Sequence, residues 1–207
     1  MNLQGLEAFA EGQLVWLPEL GMGYYPVQEQ PYDDAYWERY RVMDRTPCGE
    51  MLTTMRQAWV RHFYAGRVCD IGIGGGRFVE DGGHFGFDVN PRAVDWLQQF
   101  GWFWNPYTGP LEAVTFWDSL EHIHDPAQLL RNVERWAFVS LPIFSGAAHI
   151  RRSKHFRKDE HCLYFTRDGF VAFRHRHGFD LAGECTMEQS AGREDIQTFA
   201  FCRPGAR

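Results

Sequence analysis

A cluster of glycines after a short apolar run is the feature that most limits how this chain can fold. Residues 68–71, Val-Cys-Asp-Ile, have the composition of a short buried strand, and four glycines follow within positions 72–76. Glycines at alternating positions let the backbone turn tightly and approach a ligand with no Cβ in the way. A helix that begins after the loop presents free N–H groups there. The pattern therefore predicts a strand–loop–helix unit with a ligand at the carboxyl end of the strand.

Strand-like and helix-like segments alternate along most of the chain. Thr46-Pro47 and Asp125-Pro126 each place a capping side chain before a proline, which is typical of a helix start. This alternation predicts an α/β fold with a mostly parallel, doubly wound sheet, helices on both faces and a terminal hairpin closed by the turn Ser-Ala-Gly-Arg-Glu. The predicted strands lie at 68–71, 84–88, 113–120, 137–144, 180–189 and 195–204.

The N-terminal part of the chain lacks the alternating pattern. Residues 13–27 contain two short extended pieces around a glycine-rich turn, and Asp33 or Asp34 is placed to cap the helix that follows. We expect residues 1–60 to form an N-terminal cap and residues 61–207 to form the main domain. The cap aromatic residues either close over the bound ligand or fill the cap's own small core, and we expect the core role for most of them: Tyr24, Tyr25, Tyr36, Trp37 and Tyr40.

An acidic residue indicates which kind of ligand the loop holds. Asp88 ends the strand-like segment that follows the loop, where a carboxylate can accept both ribose hydroxyls. A dinucleotide loop needs a third glycine, but Arg77 and Val79 occupy the two positions where it would stand. Asp70, just before the first glycine, would repel a pyrophosphate but can hold an α-ammonium group, directly or through water. A nucleoside joined to an amino acid fits this loop, and S-adenosylmethionine is such a ligand.

Four segments in order resemble the class I S-adenosylmethionine-dependent methyltransferases: CDIGIGGGRF, FGFDVNP, TFWDSLEHIHDPAQLL and VSLPI. KDEHCLYFTRDGFVAFRHRHGFDL is similar to a stretch of the small-molecule branch that includes ubiquinone-biosynthesis O-methyltransferases, although Lys158 replaces the usual proline. The resemblance spans about residues 60–203. It implies a Rossmann-like, seven-stranded, mostly parallel sheet with a C-terminal antiparallel hairpin, beneath an N-terminal cap.

The resemblance also implies the cofactor contacts. S-adenosylmethionine would be the donor and S-adenosylhomocysteine the product. The usual Gly-Asp pair that contacts adenine is missing between Gly101 and Ala113, so Trp102, Trp104 and Asn105 are expected to replace it by stacking and hydrogen bonding. The expected cofactor-binding residues are Asp70, Gly72, Ile73, Gly74, Gly76, Asp88, Val89, Asn105, Trp117 and Asp118.

The candidate catalytic residues lie in two later segments. Asp118, Glu121 and His122 follow a strand end at i, i+3 and i+4, so they can share one face and meet a hard cation such as Mg²⁺. Some quinone O-methyltransferases place a divalent ion on such a segment; alternatively, Glu121 braces the backbone and His122 packs in the core. His161 lies where the resemblance puts the acceptor, as a general base or as a structural histidine. The catalytic candidates are therefore His161, His122 and Asp118.

Charge and composition limit the classes of methyl acceptor to consider. Formal net charge is −6, which is unlike a nucleic-acid-binding profile, but residues 149–158 hold five Lys and Arg and no acid. This basic loop is either a solvated surface or an entrance for a phosphate or carboxylate. We expect a small aromatic or anionic acceptor; the alternatives are an RNA or modified nucleotide, or a non-catalytic S-adenosylmethionine-binding partner subunit.

The cysteines and the apolar runs indicate the cellular compartment of the protein. Five scattered cysteines without a Cys-x-x-Cys motif favour reduced thiols in a cytoplasm. The start of the sequence lacks the basic and apolar regions of a secretory signal. No apolar run approaches the length that a transmembrane helix needs. These features predict a cytoplasmic protein without a membrane span.

Overall fold

The structure is a computed structural model, and it describes residues 13–26 and 32–206. The strands, in chain order, are β1 (Val15–Leu17), β2 (Met22–Tyr24), β3 (Cys69–Ile71), β4 (Phe85–Phe87), β5 (Leu111–Trp117), β6 (Val133–Pro142), β7 (Leu163–Phe165), β8 (Asp180–Cys185) and β9 (Ile196–Cys202). The helices are α1 (Asp34–Asp44), α2 (Pro47–Phe63), α3 (Arg77–Gly82), α4 (Pro91–Gln99), α5 (Pro126–Leu130), α6 (Ala147–Ile150), α7 (Arg167–Arg176) and α8 (Met187–Ser190), with a 3₁₀ turn at Leu120–His122.

Within the described residues, the central sheet has six strands in the order β4-β3-β5-β6-β9-β8. The first four are parallel, and β9 runs antiparallel to both of its neighbours. Six of the seven expected strands are thus present in this sheet within the described residues. At the outer edge, beside β4, a single parallel bridge between Gly86 and Phe103 stands where another strand would lie. The segment around that bridge is rich in turn-forming residues (Asn105-Pro106 and Gly109-Pro110), which break a strand.

The last two strands pair antiparallel, but their connection differs from the predicted turn. The strand predicted over 180–189 ends at Cys185, because residues 187–190 form helix α8. Glu188 of that helix is fully buried and bonds Arg56 and Arg193. Residues 186–195 thus form a structured link between the strands and bring a carboxylate toward the carboxyl end of β5.

Alternating residues of β5 show why the sheet is covered on both faces. Ala113 and Trp117 pack in one apolar cluster with Val60 of α2, whereas Val114 and Phe116 pack in another with residues of α5 and α7. The two-residue period of a strand sends its side chains to opposite faces. Each fully buried large apolar side chain contributes about 1.5–3 kcal/mol to folding.

Helix starts follow the predicted capping signals. Asp33 accepts a hydrogen bond from the N–H of Tyr36 at 2.8 Å and caps α1. Thr46 caps α2 ahead of Pro47, accepting from the N–H of Gly49 at 3.2 Å. Asp125 precedes the first residue of α5 but makes no capping hydrogen bond with its side chain.

A second sheet ties the N-terminal segment to the later chain. Its order is β1-β2-β7, and Met22 pairs with Phe165. The two predicted extended pieces are β1 and β2; residue 27, at the end of that prediction, lies outside the described residues. The division of the chain near residue 60 stays a prediction. In the part of the chain that the structure describes, no helix is both long enough and apolar enough to cross a bilayer.

Candidate functional site

The glycine loop connects β3 to α3 with three residues in the left-handed region. Gly72, Gly74 and Gly76 have φ angles of 76°, 55° and 83°, which L side chains rarely adopt. The N–H of Gly72 donates to the carbonyl of Phe87, and that of Gly76 donates to the carbonyl of Ile73, both at 2.8 Å. The loop is therefore a fixed, tight turn at the carboxyl end of β3, where the sequence predicts it.

Glycine in this loop also permits close contacts with the protein itself. A Cβ on Gly75 would lie 2.5 Å from the carbonyl oxygen of Tyr40, and a Cβ on Gly76 would lie 2.7 Å from the ring of Trp96. The Arg41 guanidinium donates to the carbonyl of Gly75 at 3.1 Å. Helix α1 thus lies directly on the loop, so the N-terminal segment forms part of the site.

Asp88 lies beside the loop and joins it to the next strand. Its carboxylate accepts from the N–H of Ile73 at 3.0 Å and from the N–H of Asn90 at 2.8 Å. Burial raises the pKa of Asp88, and these backbone hydrogen bonds oppose the rise. Since each carboxylate oxygen has a second lone pair, the fixed carboxylate can also accept hydroxyl donors. The N–H of Ile73 is already engaged by Asp88.

Asp70 lies beneath the loop. It is 2% exposed and accepts a hydrogen bond from the Thr115 hydroxyl at 2.6 Å. Burial raises its pKa to about 7, although the Thr115 hydrogen bond opposes this. The carboxyl group therefore ties the end of β3, just before the loop, to β5.

Three of the predicted cofactor-binding residues occupy different environments. Val89 is 65% exposed next to Asp88, whereas Trp117 is buried with the Arg56 guanidinium 5.1 Å from its ring centre. Asn105 accepts from the N–H of Tyr107 at 2.9 Å, in a turn that the side chain of Asn132 holds at Pro106. Because residue 132 precedes the first residue of β6, this turn lies near the amino end of that strand, away from the glycine loop.

Asp118 follows β5 in a left-handed conformation with a φ of 55°. Its carboxylate binds Arg193 at 2.8 Å and Arg56 at 2.9 Å, and Glu188 binds the same two arginines. Burial alone would raise the pKa of Asp118, but the two guanidinium charges outweigh it and lower the pKa to about 2. The carboxylate is consequently an ion-pair partner and a poor proton acceptor.

Glu121, His122 and His161 come together although the two histidines lie in separate segments of the sequence. One ligand atom from each of the three lies within 4.8 Å of the others. The rings of His122 and His161 meet edge to face, with centroids 4.7 Å apart. Burial lowers the pKa of His122 to about 4 and that of His161 to about 3, so both imidazoles are neutral at physiological pH.

Sequence reasoning missed the residues that surround Asp118. Arg56, Glu188 and Arg193 come from α2, α8 and the loop after it, so only the tertiary fold unites them. It also favoured the cap core over a ligand-covering role for Tyr36 and Tyr40, yet both are only partly buried and Tyr40 lies next to the loop. The four-residue spacing of Tyr32, Tyr36 and Tyr40 was the available signal.

The basic segment 149–158 contains short turns and is partly neutralised. Lys154 lies 3.5 Å from Glu194, and Arg157 lies 2.9 Å from Glu160. Arg151 and Arg152 are exposed to solvent. The net positive charge of this segment is therefore smaller than the sequence indicates.

Comparison with known proteins identifies the family. Residues 43–183 match the family model described as a methyltransferase domain. This range is more than half of the chain, so the chain belongs to the methyltransferase domain family. A comparison with curated proteins gives no match.

Solved structures agree in fold. Magnesium protoporphyrin IX methyltransferase (ChlM) from Synechocystis PCC 6803, with S-adenosylmethionine bound, is 13% identical with a TM-score of 0.59, over 83% of this chain and 93% of that chain. The glycopeptide N-methyltransferase MtfA, also with S-adenosylmethionine, is 14% identical with a TM-score of 0.53, over 78% and 99%. A Haloferax volcanii protein in complex with the Trm112 methyltransferase activator is 11% identical with a TM-score of 0.56, over 84% and 98%. With the family, this fold defines the chain as a class I methyltransferase enzyme.

Proposed function

We propose that this enzyme transfers a methyl group from S-adenosylmethionine to a small aromatic acceptor. S-adenosylmethionine is the donor and S-adenosylhomocysteine the product, as supported by the family and by similar structures that contain these ligands. The choice of acceptor is supported by a tyrosine row beside the glycine loop, which consists of Tyr32, just before α1, and Tyr36 and Tyr40 of α1. The oxygen of a phenol-like ring is the methylated atom, in line with the resemblance to quinone O-methyltransferases.

The donor lies along the glycine loop. The loop glycines at 72, 74 and 76 allow close approach of the backbone, and Asp88 accepts the ribose hydroxyls. Val89, exposed next to Asp88, packs against the adenine. Asp70 acts through the loop that it supports, Ile73 holds Asp88 in place, and Trp117 and Asp118 form the floor beyond. Asn105 is left out of this set because its turn lies near the amino end of β6.

The tyrosine row forms an aromatic wall next to the donor. The Tyr36 and Tyr40 rings stack at 4.6 Å, and Tyr32 meets Tyr36 edge to face at 5.0 Å. Tyr40 comes within 3.4 Å of where a Cβ of Gly74 would lie. Burial, and then the charges of Glu160 and Asp88, raise the pKa of Tyr32 to about 12, so this hydroxyl stays protonated at physiological pH. Flat acceptors gain from stacking on such surfaces.

Methyl transfer from a sulfonium is an in-line displacement, so the protein mainly positions and dehydrates the reactants. The acceptor oxygen attacks the methyl carbon, the carbon–sulfur bond breaks, and its electron pair stays on sulfur. The phenolic proton must also leave. Asp118 is a positioning residue because Arg56 and Arg193 hold it. His122 and His161 are the neutral imidazoles that face the acceptor, and His161 receives the proton.

The test is formation of S-adenosylhomocysteine with a panel of phenols, catechols, aromatic amines and RNA. We expect turnover with a phenolic acceptor. Tyr36→Ala should raise KM for it about two- to tenfold, consistent with loss of a stacking contact of about 0.5–1.5 kcal/mol. Tyr36→Phe should leave KM nearly unchanged because it keeps the ring. His161→Ala should lower kcat by about 10²–10⁴-fold if it accepts the proton. Turnover of RNA alone would replace this proposal with the nucleotide alternative.

An anionic group on the acceptor is a secondary part of the proposal. Its support is the exposed pair Arg151 and Arg152 in the basic loop. A non-catalytic role as a partner subunit would leave donor binding intact and give no turnover with any acceptor. Cytoplasmic location stays a prediction from the cysteines.

A further inference from the structure

A buried carboxylate on the acceptor side lacks partners. Glu121 is 1% exposed, and among the described residues neither of its carboxylate oxygens has a hydrogen-bond partner. The Nδ1 atom of His122 is likewise buried and unpaired within the described chain. Buried charges in proteins are normally paired or bound to a metal. The described part of the protein therefore offers no hydrogen-bond partner for the Glu121 carboxylate oxygens or for Nδ1 of His122.

The fold holds the three side chains together from two separate elements. Glu121 and His122 lie in the 3₁₀ turn after β5, and His161 lies just before β7. The N–H of Cys162 donates to the carbonyl of Glu121 at 2.9 Å, which fixes the two elements against each other. The backbone of Glu160 also hydrogen-bonds His122, an arrangement that orients ligating histidines in metal sites.

We propose that Glu121, His122 and His161 bind one divalent ion of the zinc class. Two neutral imidazoles and one carboxylate are a donor set of intermediate softness, which suits Zn²⁺ better than Mg²⁺. The sequence pattern points instead to a hard cation on Asp118, Glu121 and His122. Asp118 does not fit that role because two arginines hold its carboxylate, and His161 takes its place.

The spacing requires only a small adjustment of the side chains. Ligand atoms around a tetrahedral zinc, at about 2.0–2.1 Å from the metal, are about 3.3 Å apart. The three atoms here lie within 4.8 Å of one another. Rotation of the carboxylate and the imidazoles closes this gap, and three protein ligands leave a fourth position open, as in catalytic zinc sites.

The open position gives the site a role that rests on the proposed function. A phenolic oxygen bound there would lose its proton more readily, because the ion stabilises the phenolate. A bound ion would thus take over from His161 in promoting the loss of the phenolic proton. His161 would then be a metal ligand, and the acceptor's proton would pass to solvent.

The experiment uses the full chain after chelator treatment and dialysis. Competition with a chromophoric chelator should show one Zn²⁺ per chain and much weaker Mg²⁺ binding. Substitution of Co²⁺ should give the visible absorption of a low-coordinate site. Glu121→Gln and His161→Ala should each weaken Zn²⁺ binding by more than about 100-fold, beyond the loss expected for residues around the ligands. His124→Ala, an exposed neighbour outside the group of three, should keep wild-type affinity.

Thermal melting separates metal binding from folding and from catalysis. Zn²⁺ should raise the Tm of the wild type, whereas Glu121→Gln should have a higher metal-free Tm and no response to Zn²⁺. S-adenosylhomocysteine affinity should be equal in both proteins, so a failure of the metal site is distinct from a failure of the proposed donor site. Zn²⁺ binding that survives both Glu121→Gln and His161→Ala, binding of Mg²⁺ in preference to Zn²⁺, or no metal binding would each overturn the proposal.

Discussion

The proposed donor side, around the glycine loop, and the proposed acceptor side, around Glu121, differ in how their buried polar groups are satisfied. On the donor side, the carboxylates of Asp70 and Asp88 accept hydrogen bonds from Thr115, Ile73 and Asn90. On the acceptor side, Glu121 has two carboxylate oxygens without partners among the described residues. The buried carboxylates of the donor side thus have hydrogen-bond donors as folded, whereas the Glu121 carboxylate has none among the described residues.

This difference separates two uses of a buried carboxylate. A carboxylate bonded to backbone N–H groups fixes a loop and prepares a site for a neutral hydroxyl ligand. A carboxylate without donors is costly unless a charged group joins it. The first arrangement suits a site that binds a cofactor. The second suits a site that binds a further charged group, as we propose for Glu121. The predictions below test each side separately.

The largest effect is expected where the loop meets its neighbours. Gly76→Ala combines a left-handed backbone with contact against the Trp96 ring, and should lower the free energy of unfolding by about 2–5 kcal/mol. Binding of S-adenosylhomocysteine should fall with it. Gly83→Ala, at the other end of α3, is the matched control: its φ is 62° but a Cβ there meets nothing within 4 Å. It should cost only about 1–2 kcal/mol and preserve affinity. Equal losses, by denaturation and calorimetry, would contradict close packing at Gly76.

The next effect concerns Asp70 and pH. Its folded pKa of about 7 lies above the ordinary value of 3.8, so its contribution to stability is fully present below 3.8 and is lost as pH rises through 7. Asp70→Asn does not ionise and should be more stable than the wild type at pH 8, by on the order of 1–4 kcal/mol. Chemical denaturation between pH 5 and 8 checks this. The exposed Asp81→Asn should keep the wild-type profile, and an Asp70→Asn profile parallel to the wild type would refute it.

Asp88 tests whether the donor side is used as proposed. Asp88→Ala should weaken S-adenosylhomocysteine binding by about 1.5–3 kcal/mol, roughly 10- to 150-fold, because the ribose hydroxyls lose a charged acceptor. Asp88→Asn keeps one acceptor oxygen and should lose less. Isothermal titration gives both values. An unchanged Kd in a folded Asp88→Ala variant would remove Asp88 from the site.

The smallest effect is expected at the exposed entrance on the acceptor side. Neutralising Arg151, Arg152 and Lys154 together should lower kcat/KM for an anionic acceptor by a few fold at low salt and flatten its salt dependence, with kcat little changed. The reason is that exposed charges act over a Debye length of about 8 Å at physiological salt. Arg92→Gln, far along the chain in α4, serves as the charge control. A wild-type salt response in the triple variant would make the basic loop a solvated surface.

The same contrast explains what the sequence could predict. The loop glycines and Asp88 belong to one short strand–loop–helix–strand stretch, and the caps at Asp33 and Thr46 act within a single helical turn, so local patterns suffice. Asp118 depends on partners 62 and 75 residues away, which no local pattern identifies.

The acceptor side was predictable only as separate parts. Glu121 and His161 meet because β7 packs on the 3₁₀ turn, a tertiary contact that joins Glu121 to Cys162. The turn that holds Asn105 was not predictable, because the segment after Gly101 gives only a bridge instead of a strand and the chain turns back early.

Because β2 pairs with β7, the second sheet can form only after both strands have been synthesised. Met22 pairs with Phe165, which lies far later in the chain. Phe165 leaves the ribosome roughly 140 residues later, which takes about 7–30 s at about 5–20 residues per second. During that interval β2, whose three residues are all buried in the finished fold, has no strand to pair with on the side of β7. Translation speed and chaperone binding to this segment should therefore affect the formation of the β1-β2-β7 sheet more than the formation of the central sheet. The yield of active enzyme should change accordingly.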